Sequence, residues 1–373
     1  MLNLLFLIYD LERGGPEMRL LDFARQFPMD VRVNIFATSN RVSLLNQFRE
    51  CNASVTVLPV KKSYLEIQKA FQIYSIMKRQ GVFFVNTFEL KELILAIIIK
   101  MKSRCRVKTI HHLVNLLHDY KSHHRLILKI LLLFTDACIC NSEQSRHILR
   151  ELSVPEKKIS VIRNGIDTTF FQRKDKSSAT SLLRNFNIAP DDILLGTIAN
   201  FRKVKNYPFL LKAFCALSKK YTNLRLICVG GGPDLRGMKN LAAEYGIIEK
   251  ITFPGYSESV AEFLELMDIF VFCSMREGSP NVVLQAMSME IPVVCSDIRG
   301  CSDIITNMEN GVLFRPNSQF KFIECVEMLL NDKELAGRLG AEGRKTVEKK
   351  FSLHRMIDDY VAFYRDMAAV KTR

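Results

Sequence analysis

The chain alternates short apolar runs with longer segments of helical periodicity. In the first half, six apolar runs have the length and residue types of buried strands. They are LNLLFLIYD, VRVNIFAT, ASVTVLPV, GVFFVNT, VKTIHHL and ACICNS. Segments with helical spacing, such as EMRLLDFARQF and YLEIQKAFQIYSIMKRQ, lie between them. This strand–helix alternation predicts βαβ units and a parallel sheet.

A break then separates two series of this kind. The turn NGID at residues 164–167 is followed by the polar segment TTFFQRKDKSSATSLLRNF, which we interpret as an interdomain linker. The alternation restarts with six more predicted strands, ILLGTIAN, LRLICVG, KITFPG, IFVFCS, PVVCSD and GVLFRP. The sequence predicts an α/β protein with two doubly wound domains, residues 1–167 and 168–350. Residues 351–373 contain an amphipathic helix, which we expect to pack back towards the first domain.

Composition narrows the class of protein. A chain of 373 residues is too long for one comfortable core, and 48% hydrophobic with 25% charged residues is typical of globular proteins. Ten cysteines are scattered without a CxxC pair, which favours reduced thiols in a cytosolic protein over disulfides or a metal site. The segment MLNLLFLIYDLE lacks a basic leader, and no uncharged apolar run approaches about 18 residues. We therefore expect neither a signal peptide nor a spanning helix.

The net charge of +14 is unevenly distributed. The window 100–130 contains eight Lys or Arg residues, five histidines and one acid, Asp119. In HHRLILKILLLF, basic residues alternate with Leu and Ile and lack interleaved aromatic residues for base stacking. This favours an anionic membrane surface or an acidic lipid-linked substrate over nucleic acid. A solvated basic face without a function remains open.

Residues that follow the predicted strands are candidate ligand contacts, because α/β sheets bind ligands beyond the carboxyl ends of their strands. Gly14-Gly15 follows the first strand and would let backbone N–H groups approach a phosphate, although a plain tight turn is equally compatible. The surrounding sequence is neither GxGxxG nor a P-loop, which disfavours a dinucleotide or nucleoside triphosphate site. His111-His112 lies at the end of another predicted strand. These histidines could form a polar gate, handle protons or be structural.

In the second half of the chain, basic residues and glycines follow the predicted strands. Arg202, Lys203 and Lys205 follow ILLGTIAN and suit a pyrophosphate, with an exposed basic turn as the alternative. The glycine turn 230–232 permits close backbone approach by a ligand, or is structural.

The segment SMREGSPNVVLQAMSMEIP, residues 274–292, reads as a strand end, a loop and an abrupt helix. Ser279 is a good N-cap and Pro280 a good first helical residue. The positive end of that helix would then point at the strand ends, where a diphosphate would be stabilised. Glu277 lies just outside and could accept hydrogen bonds from sugar hydroxyls. A capping loop explains Ser279-Pro280 but not the Glu-Gly before it.

These residues carry a family resemblance. EGSPNVVLQAMSMEIPVVCSDIRGCSDII resembles the donor segment of retaining GT-B glycosyltransferases of family 4, also called glycosyl transferases group 1, with its Glu-x7-Glu motif. The likeness extends in order to the first GG turn, VIRNGID, IANFRKVKN and VGGGP, and so covers nearly the whole chain. It implies two Rossmann-like domains facing a central cleft, with the acceptor mainly on the first and a nucleotide sugar mainly on the second. It implies no cofactor and no metal, and the chain contains no Asp-x-Asp.

The resemblance also implies roles for individual residues. It assigns catalytic roles to Glu277, His111, Lys205 and Arg202, and donor-binding roles to Gly15, Asn200, Gly278, Ser279, Pro280, Asn281, Val282 and Gln285. Lys205 and Arg202 would contact the diphosphate, and His111 and Glu277 would lie near the donor sugar. Gln285 stands at the second motif glutamate, which holds the nucleotide ribose, and Asn200 stands near the position of the usual arginine.

The expected activity is retaining, metal-independent transfer of a sugar from a UDP-linked donor to a glycan or polyprenyl-diphosphate-linked acceptor. The expected setting is cell-envelope polysaccharide, O-antigen or lipopolysaccharide synthesis, in the cytoplasm and peripherally on the inner face of the membrane. Two other functions remain open. Gln285 and Asn200 motivate a non-catalytic GT-B subunit that binds a partner or a glycan, and the fold also accommodates a nucleotide-sugar epimerase.

Overall fold

A computed structural model describes residues 1–12, 14–51, 53–58, 67–113, 122–173, 186 and 188–369. Most of the predicted linker lies outside these residues. The chain divides into two compact units. The first contains Met1–Arg163 and the C-terminal segment from His354, and the second contains Asn164–Leu353.

The first unit is built on a parallel sheet. Among the described residues it has seven strands, in the order β3-β2-β1-β4-β5-β6-β7. The strands are β1 (Leu2–Ile8), β2 (Val31–Ala37), β3 (Ala53–Val57), β4 (Phe84–Thr87), β5 (Lys108–Leu113), β6 (Ala137–Cys140) and β7 (Ile159–Val161). Six of them lie within the predicted runs. The sequence analysis missed β7, because three residues at a sheet edge give too short an apolar run to stand out.

Helices connect these strands. They are α1 (Gly15–Gln26), α2 (Leu45–Arg49), α3 (Ile67–Gln80), α4 (Leu90–Lys102), α5 (Ser122–Leu133) and α6 (Glu143–Glu151). The last helix of the chain, α14 (Leu353–Ala369), packs on this unit. The Tyr360 ring meets Phe23 edge-on at a centroid distance of 4.6 Å, and the Tyr364 hydroxyl donates a 2.7 Å hydrogen bond to Asn86 Oδ1. The buried hydroxyl of Tyr364 therefore anchors this helix to the core of the first unit.

The second unit repeats the architecture. Its described strands form a six-stranded parallel sheet in the order β10-β9-β8-β11-β12-β13. The strands are β8 (Ile193–Ile198), β9 (Leu224–Val229), β10 (Ile251–Gly255), β11 (Ile269–Phe272), β12 (Val293–Ser296) and β13 (Val312–Phe314). The helices are α7 (Tyr207–Lys220), α8 (Leu235–Glu244), α9 (Val260–Leu266), α10 (Asn281–Ser288), α11 (Arg299–Ser302), α12 (Gln319–Asn331) and α13 (Lys333–Lys350).

Both sheets are doubly wound, as the alternating pattern predicts. The central strand β11, IFVF, is buried at every position, because helices cover a parallel sheet on both faces. Two hydrophobic clusters flank the second sheet, one containing Phe270 and Phe272 and the other containing Val271 and Phe214. The strand order reverses between β1 and β4 in the first unit and between β8 and β11 in the second. Such a reversal is where doubly wound sheets bind ligands.

Candidate active site

An ion pair lies at the strand reversal of the second unit. The loop after β8 contains a short 3₁₀ turn, Lys203–Lys205, and the loop after β11 carries Glu277. Lys205 Nζ lies 2.5 Å from Glu277 Oε1. Adjacent strands thus bring together two residues that are 72 positions apart in the sequence.

Both partners of this pair are oriented by their neighbours. The Ser274 hydroxyl donates a second hydrogen bond to Glu277 Oε1, at 2.6 Å, and the Lys205 ammonium lies 5.3 Å from the centroid of the Phe272 ring. The Lys205 and Glu277 side chains are only 20% and 16% exposed. Partial burial strengthens a charge-assisted hydrogen bond relative to a fully solvated pair. The ammonium is therefore held at a defined point beside the strand ends.

A backbone bond holds the two loops together, and a side-chain bond fixes the first of them. Met275 N–H donates to Val204 O at 2.8 Å across the loops, and the Tyr207 hydroxyl donates to Ala199 O within the loop after β8 at 2.7 Å. Asn206 has the left-handed backbone conformation, with φ 57°, and its side-chain amide donates to Asn317 Oδ1 at 3.0 Å. Two further predicted site residues, Asn200 and Arg202, lie in the first of these loops and are exposed.

The glycine turn after β9 supports the same loop. Gly230 and Gly232 have φ values of +148° and +140°, which residues with a side chain rarely adopt. A Cβ atom on Gly232 would lie 2.6 Å from Phe201 O, and one on Gly230 would collide with Ala199 O. The sequence left open a ligand-binding turn or a structural turn. The structure shows a structural reason for the glycines: they let the turn pack against the loop that carries Asn200.

Helix α10 begins one residue later than predicted. Pro280, with φ −76° and ψ 100°, is the N-cap, and Asn281 is the first helical residue. The prediction of Ser279 as the N-cap is therefore wrong, because Pro280 occupies that position. Asn164, from the NG turn, donates its side-chain amide to Asn281 Oδ1 at 2.7 Å. The helix start still follows Glu277 directly, and Gln285 lies one turn along, half-buried.

The sequence analysis missed Gly300 in α11. A Cβ atom there would lie 2.5 Å from Glu277 O and 2.8 Å from Glu277 C. Only a residue without a side chain lets α11 pack this closely behind the Glu277 backbone. A glycine soon after a predicted strand, in SDIRG, is the signal that could have identified it.

The corresponding strand reversal of the first unit is acidic. Gly14 is the N-cap of α1 and Gly15 its first residue, and the Glu17 carboxylate lies against Gly14. Burial, together with the charges of Asp10 and Glu89, raises the pKa of Glu17 to about 7 against an opposing hydrogen bond from its own N–H. The turn expected to face phosphates therefore carries one carboxyl group, that of Glu17, whose charge depends on pH near neutrality.

The two strand-end histidines are buried. His111 has no exposed surface, and its Nδ1 lies 3.0 Å from Thr87 Oγ1. His112 Nε2 lies 3.0 Å from Asn86 Oδ1, the atom that also accepts from Tyr364. Burial lowers the pKa of His111 to about 4 and that of His112 well below its usual value. Both rings are therefore neutral at pH 7, so His111 can offer a neutral nitrogen but not a cation.

We expect His111 to make stability depend on pH. Its folded-state pKa lies below the unfolded value of 6.5, so its contribution is complete above pH 6.5 and is lost as pH falls towards about 4. In His111→Asn, the fall in the free energy of unfolding between pH 6.5 and pH 5 should be shallower by up to about 1.4 kcal/mol per pH unit. Urea titrations across that range measure this slope. His354→Gln is the control, because the His354 side chain is 88% exposed; an unchanged slope in His111→Asn would contradict the assignment.

The donor-side geometry combines an ammonium group, a carboxylate and a helix N-terminus. The first N–H groups of a helix have no partner within the helix and favour anions. Within the described part of the chain, no group of three or more His, Cys, Asp or Glu side chains is arranged to hold a metal ion. This arrangement suits a ligand that combines a phosphate group with hydroxyl groups.

Two protein-family descriptions match the sequence. Glycosyltransferase Family 4 matches residues 13–170, and Glycosyl transferases group 1 matches residues 180–346. Together the two matches span most of the chain, one in each half. Each half of the chain therefore carries a glycosyltransferase family domain, in a GT-B fold.

Two curated glycosyltransferases are similar to this chain over most of their length. The capsular polysaccharide biosynthesis glycosyltransferase CapM of Staphylococcus aureus is 24% identical over 378 residues, with 96% of each chain covered. The UDP-Gal:alpha-D-GlcNAc-diphosphoundecaprenol alpha-1,3-galactosyltransferase of Escherichia coli is 25% identical over 82% of this chain and 81% of its own. Three relatives from Bacillus species are matched over only 62%, 56% and 42% of their own length.

A solved structure shows the same fold. HepE of Anabaena, in complex with UDP and glucose, superimposes with a TM-score of 0.86 and covers 98% of this chain and 100% of its own. At 16% identity, this likeness concerns the fold alone. The prediction of a GT-B protein with two Rossmann-like α/β domains is confirmed.

Proposed function

We propose that this protein transfers a sugar, with retention of anomeric configuration and without a metal, from a UDP-linked donor to a glycan or polyprenyl-diphosphate-linked acceptor. The assembly of a cell-envelope polysaccharide such as O-antigen or lipopolysaccharide is its setting. The Lys205–Glu277 pair beside the start of α10 carries the proposal. The substrate class is supported by the E. coli relative, whose name specifies UDP-Gal and a diphosphoundecaprenol-linked sugar.

In this proposal the second unit binds the donor. Lys205 and Arg202 contact the diphosphate, and the backbone at the start of α10 faces the phosphate and the sugar. Both described hydrogen bonds to the Glu277 carboxylate go to Oε1, which leaves Oε2 to accept from sugar hydroxyls. The remaining donor contacts are Gly15, Asn200, Gly278, Ser279, Pro280, Asn281 and Val282.

The reaction proceeds on one face of the sugar. The acceptor oxygen forms a bond to the anomeric carbon on the side from which the diphosphate departs, so the configuration is retained. The bond from the anomeric carbon to the diphosphate oxygen breaks, and that oxygen takes the acceptor proton. Negative charge grows on the leaving diphosphate, and the Lys205 ammonium and the helix N-terminus stabilise it. In this proposal His111 acts near the donor sugar as an uncharged hydrogen-bonding group. Its ring has no exposed surface in the structure, so contact with the sugar requires the residues around it to move.

Gln285 weakens nucleotide binding without ending the chemistry. A charged acceptor of ribose hydroxyls contributes about 1.5–3 kcal/mol, against roughly 0.5–1.5 kcal/mol for a neutral amide. We therefore expect Gln285→Glu to tighten UDP binding by up to about tenfold, or to change it little, with kcat preserved. Calorimetric titration with UDP and steady-state kinetics test this expectation. A large loss of activity in Gln285→Glu would contradict the ribose assignment.

A thermal-shift screen tests the proposal as a whole. UDP, GDP, ADP and their sugar conjugates are added to the purified protein, because a ligand at 100 times its Kd stabilises the folded state by about 2.7 kcal/mol. We expect UDP compounds to raise Tm most. A Tm that none of these compounds changes would overturn the proposal. Slow hydrolysis of the UDP-sugar argues against a non-catalytic subunit, and analysis of the sugar product without acceptor identifies an epimerase.

A polyprenyl-linked acceptor lies in a membrane, so we propose peripheral contact with the inner face of that membrane. The helices described in the structure include none with the length and apolar character that spanning a bilayer requires. Contact would therefore involve a surface of the folded protein.

A further inference from the structure

Helix α5 is apolar on two opposite sides. Leu128 and Leu132 point into the core of the first unit and have no exposed surface. Leu126, Ile130 and Leu133, spaced so as to share one helical face, are 61%, 49% and 51% exposed. A surface helix of a soluble protein normally carries polar residues on its outer side. The outer side of α5 therefore has the composition of a buried face.

This exposed face continues onto neighbouring residues. Ile127 and Phe134 are 39% and 56% exposed, and Met101, near the end of α4, is 72% exposed. Met101, Leu133 and Phe134 line one groove of about 350 Å³, so these three residues are contiguous, and Leu133 shares its helical face with Leu126 and Ile130. We define the α5 surface by the following six residues: Met101, Leu126, Ile127, Ile130, Leu133 and Phe134. Contiguous exposed apolar patches of this kind mark interaction sites.

Basic side chains lie on and beside the α5 surface. Lys129 is exposed on α5 itself, and Lys100 and Lys158 line the groove described above. Asp136, an acid that also lines this groove, is paired with Lys100 at 2.7 Å. Exposed apolar groups with a basic margin complement a bilayer, which offers an apolar interior beneath anionic headgroups. A second copy of the same surface would instead bring like charges together.

We propose that the α5 surface binds an anionic lipid bilayer. Leu126, Ile130 and Phe134 enter the boundary between headgroups and acyl chains, and Lys129 contacts lipid phosphate. The inference rests on the proposed function in one respect: a polyprenyl-linked acceptor would require the protein to bind a membrane. The α5 surface itself contains none of the residues assigned to the donor site. Six apolar side chains with several cations supply both of the signals that reversible membrane attachment needs.

Co-sedimentation with vesicles tests this proposal. The protein should bind vesicles of phosphatidylethanolamine that contain about 30 mol% phosphatidylglycerol, and bind phosphatidylcholine vesicles at least about tenfold more weakly. The triple variant Leu126→Gln, Ile130→Gln, Phe134→Gln should lose at least about tenfold in partition coefficient, because it removes three inserting side chains. Lys129→Gln should lose severalfold at low salt and less at high salt. The matched control is Met29→Gln with Phe320→Gln, since Met29 and Phe320 are 85% and 73% exposed elsewhere on the chain.

The readouts separate this proposal from its alternatives and from the proposed function. Circular dichroism and Tm establish that each variant is folded, and the UDP-induced Tm shift reports on the donor site. Loss of vesicle binding with an unchanged UDP shift supports the α5 surface. Equal vesicle binding by the triple variant and the wild type would overturn the membrane proposal. A wild-type protein that does not bind anionic vesicles would overturn it as well. A wild-type dimer that the triple variant converts to a monomer would also overturn it, in favour of a second copy.

Discussion

Glu277→Ala should lower kcat by roughly 100-fold or more while the protein remains folded. The carboxylate makes charge-assisted bonds, each contributing about 1.5–3 kcal/mol, and its loss removes both the sugar contact and the partner that positions Lys205. Lys205 then loses its ion-pair partner, whereas the Ser274 hydroxyl can still donate to Val204 O. Initial rates of UDP release with a saturating acceptor measure the effect.

Glu277→Gln and a distant control sharpen this test. The amide keeps the size of the side chain but loses its charge, so we expect an intermediate rate. Glu244→Ala, at the exposed end of α8, removes a carboxylate of the same unit and should leave kcat unchanged. Near-wild-type kinetics for Glu277→Ala would remove Glu277 from the site.

Lys205→Met should lower kcat by about 10²–10³, the effect of removing one preorganised group that stabilises charge in a transition state. The unbranched methionine side chain resembles the lysine stem in shape but lacks the ammonium that lies over the Phe272 ring, so the change tests the charge rather than the fold. The loss should appear in kcat more than in KM, because charge on the diphosphate oxygen grows as the bond breaks. Lys219→Met, at the exposed end of α7, is the matched control.

A double-mutant cycle decides whether Lys205 and Glu277 act as one unit. If the ion pair positions the ammonium, Lys205→Met and Glu277→Gln together should cost much less than the sum of their separate effects. Residues in direct contact show coupling of about 0.5–3 kcal/mol. Strict additivity in kcat would show that each acts alone and would contradict the positioning role of the pair.

The sequence located much of this site because doubly wound sheets concentrate ligand contacts at strand ends. Listing the residues after β8 and β11 was enough to select Lys205 and Glu277. It was not enough to select Asn164 or Gly300, which act on the site through Asn281 and the Glu277 backbone. These two are distant in sequence from what they contact, and their residue types are common in ordinary turns.

Local pattern and tertiary packing thus determined different properties of the protein. The period of the apolar residues depends only on near neighbours, so the sequence by itself determined the strands, the helices and the two parallel sheets. The sequence did not predict β7, because a strand of three residues has too short an apolar pattern to be recognised. The family motifs likewise indicated which loops carry the chemistry.

Only the tertiary structure decided the electrostatic state of those residues. Burial, which depends on every element packed around a group, makes His111 neutral and raises the pKa of Glu17 to about 7. Strand order placed Lys205 against Glu277 across 72 positions. For α5, the sequence showed apolar and basic residues together, but only packing determined which leucines enter the core and which remain exposed. These properties depend on distances between segments, which no local pattern encodes.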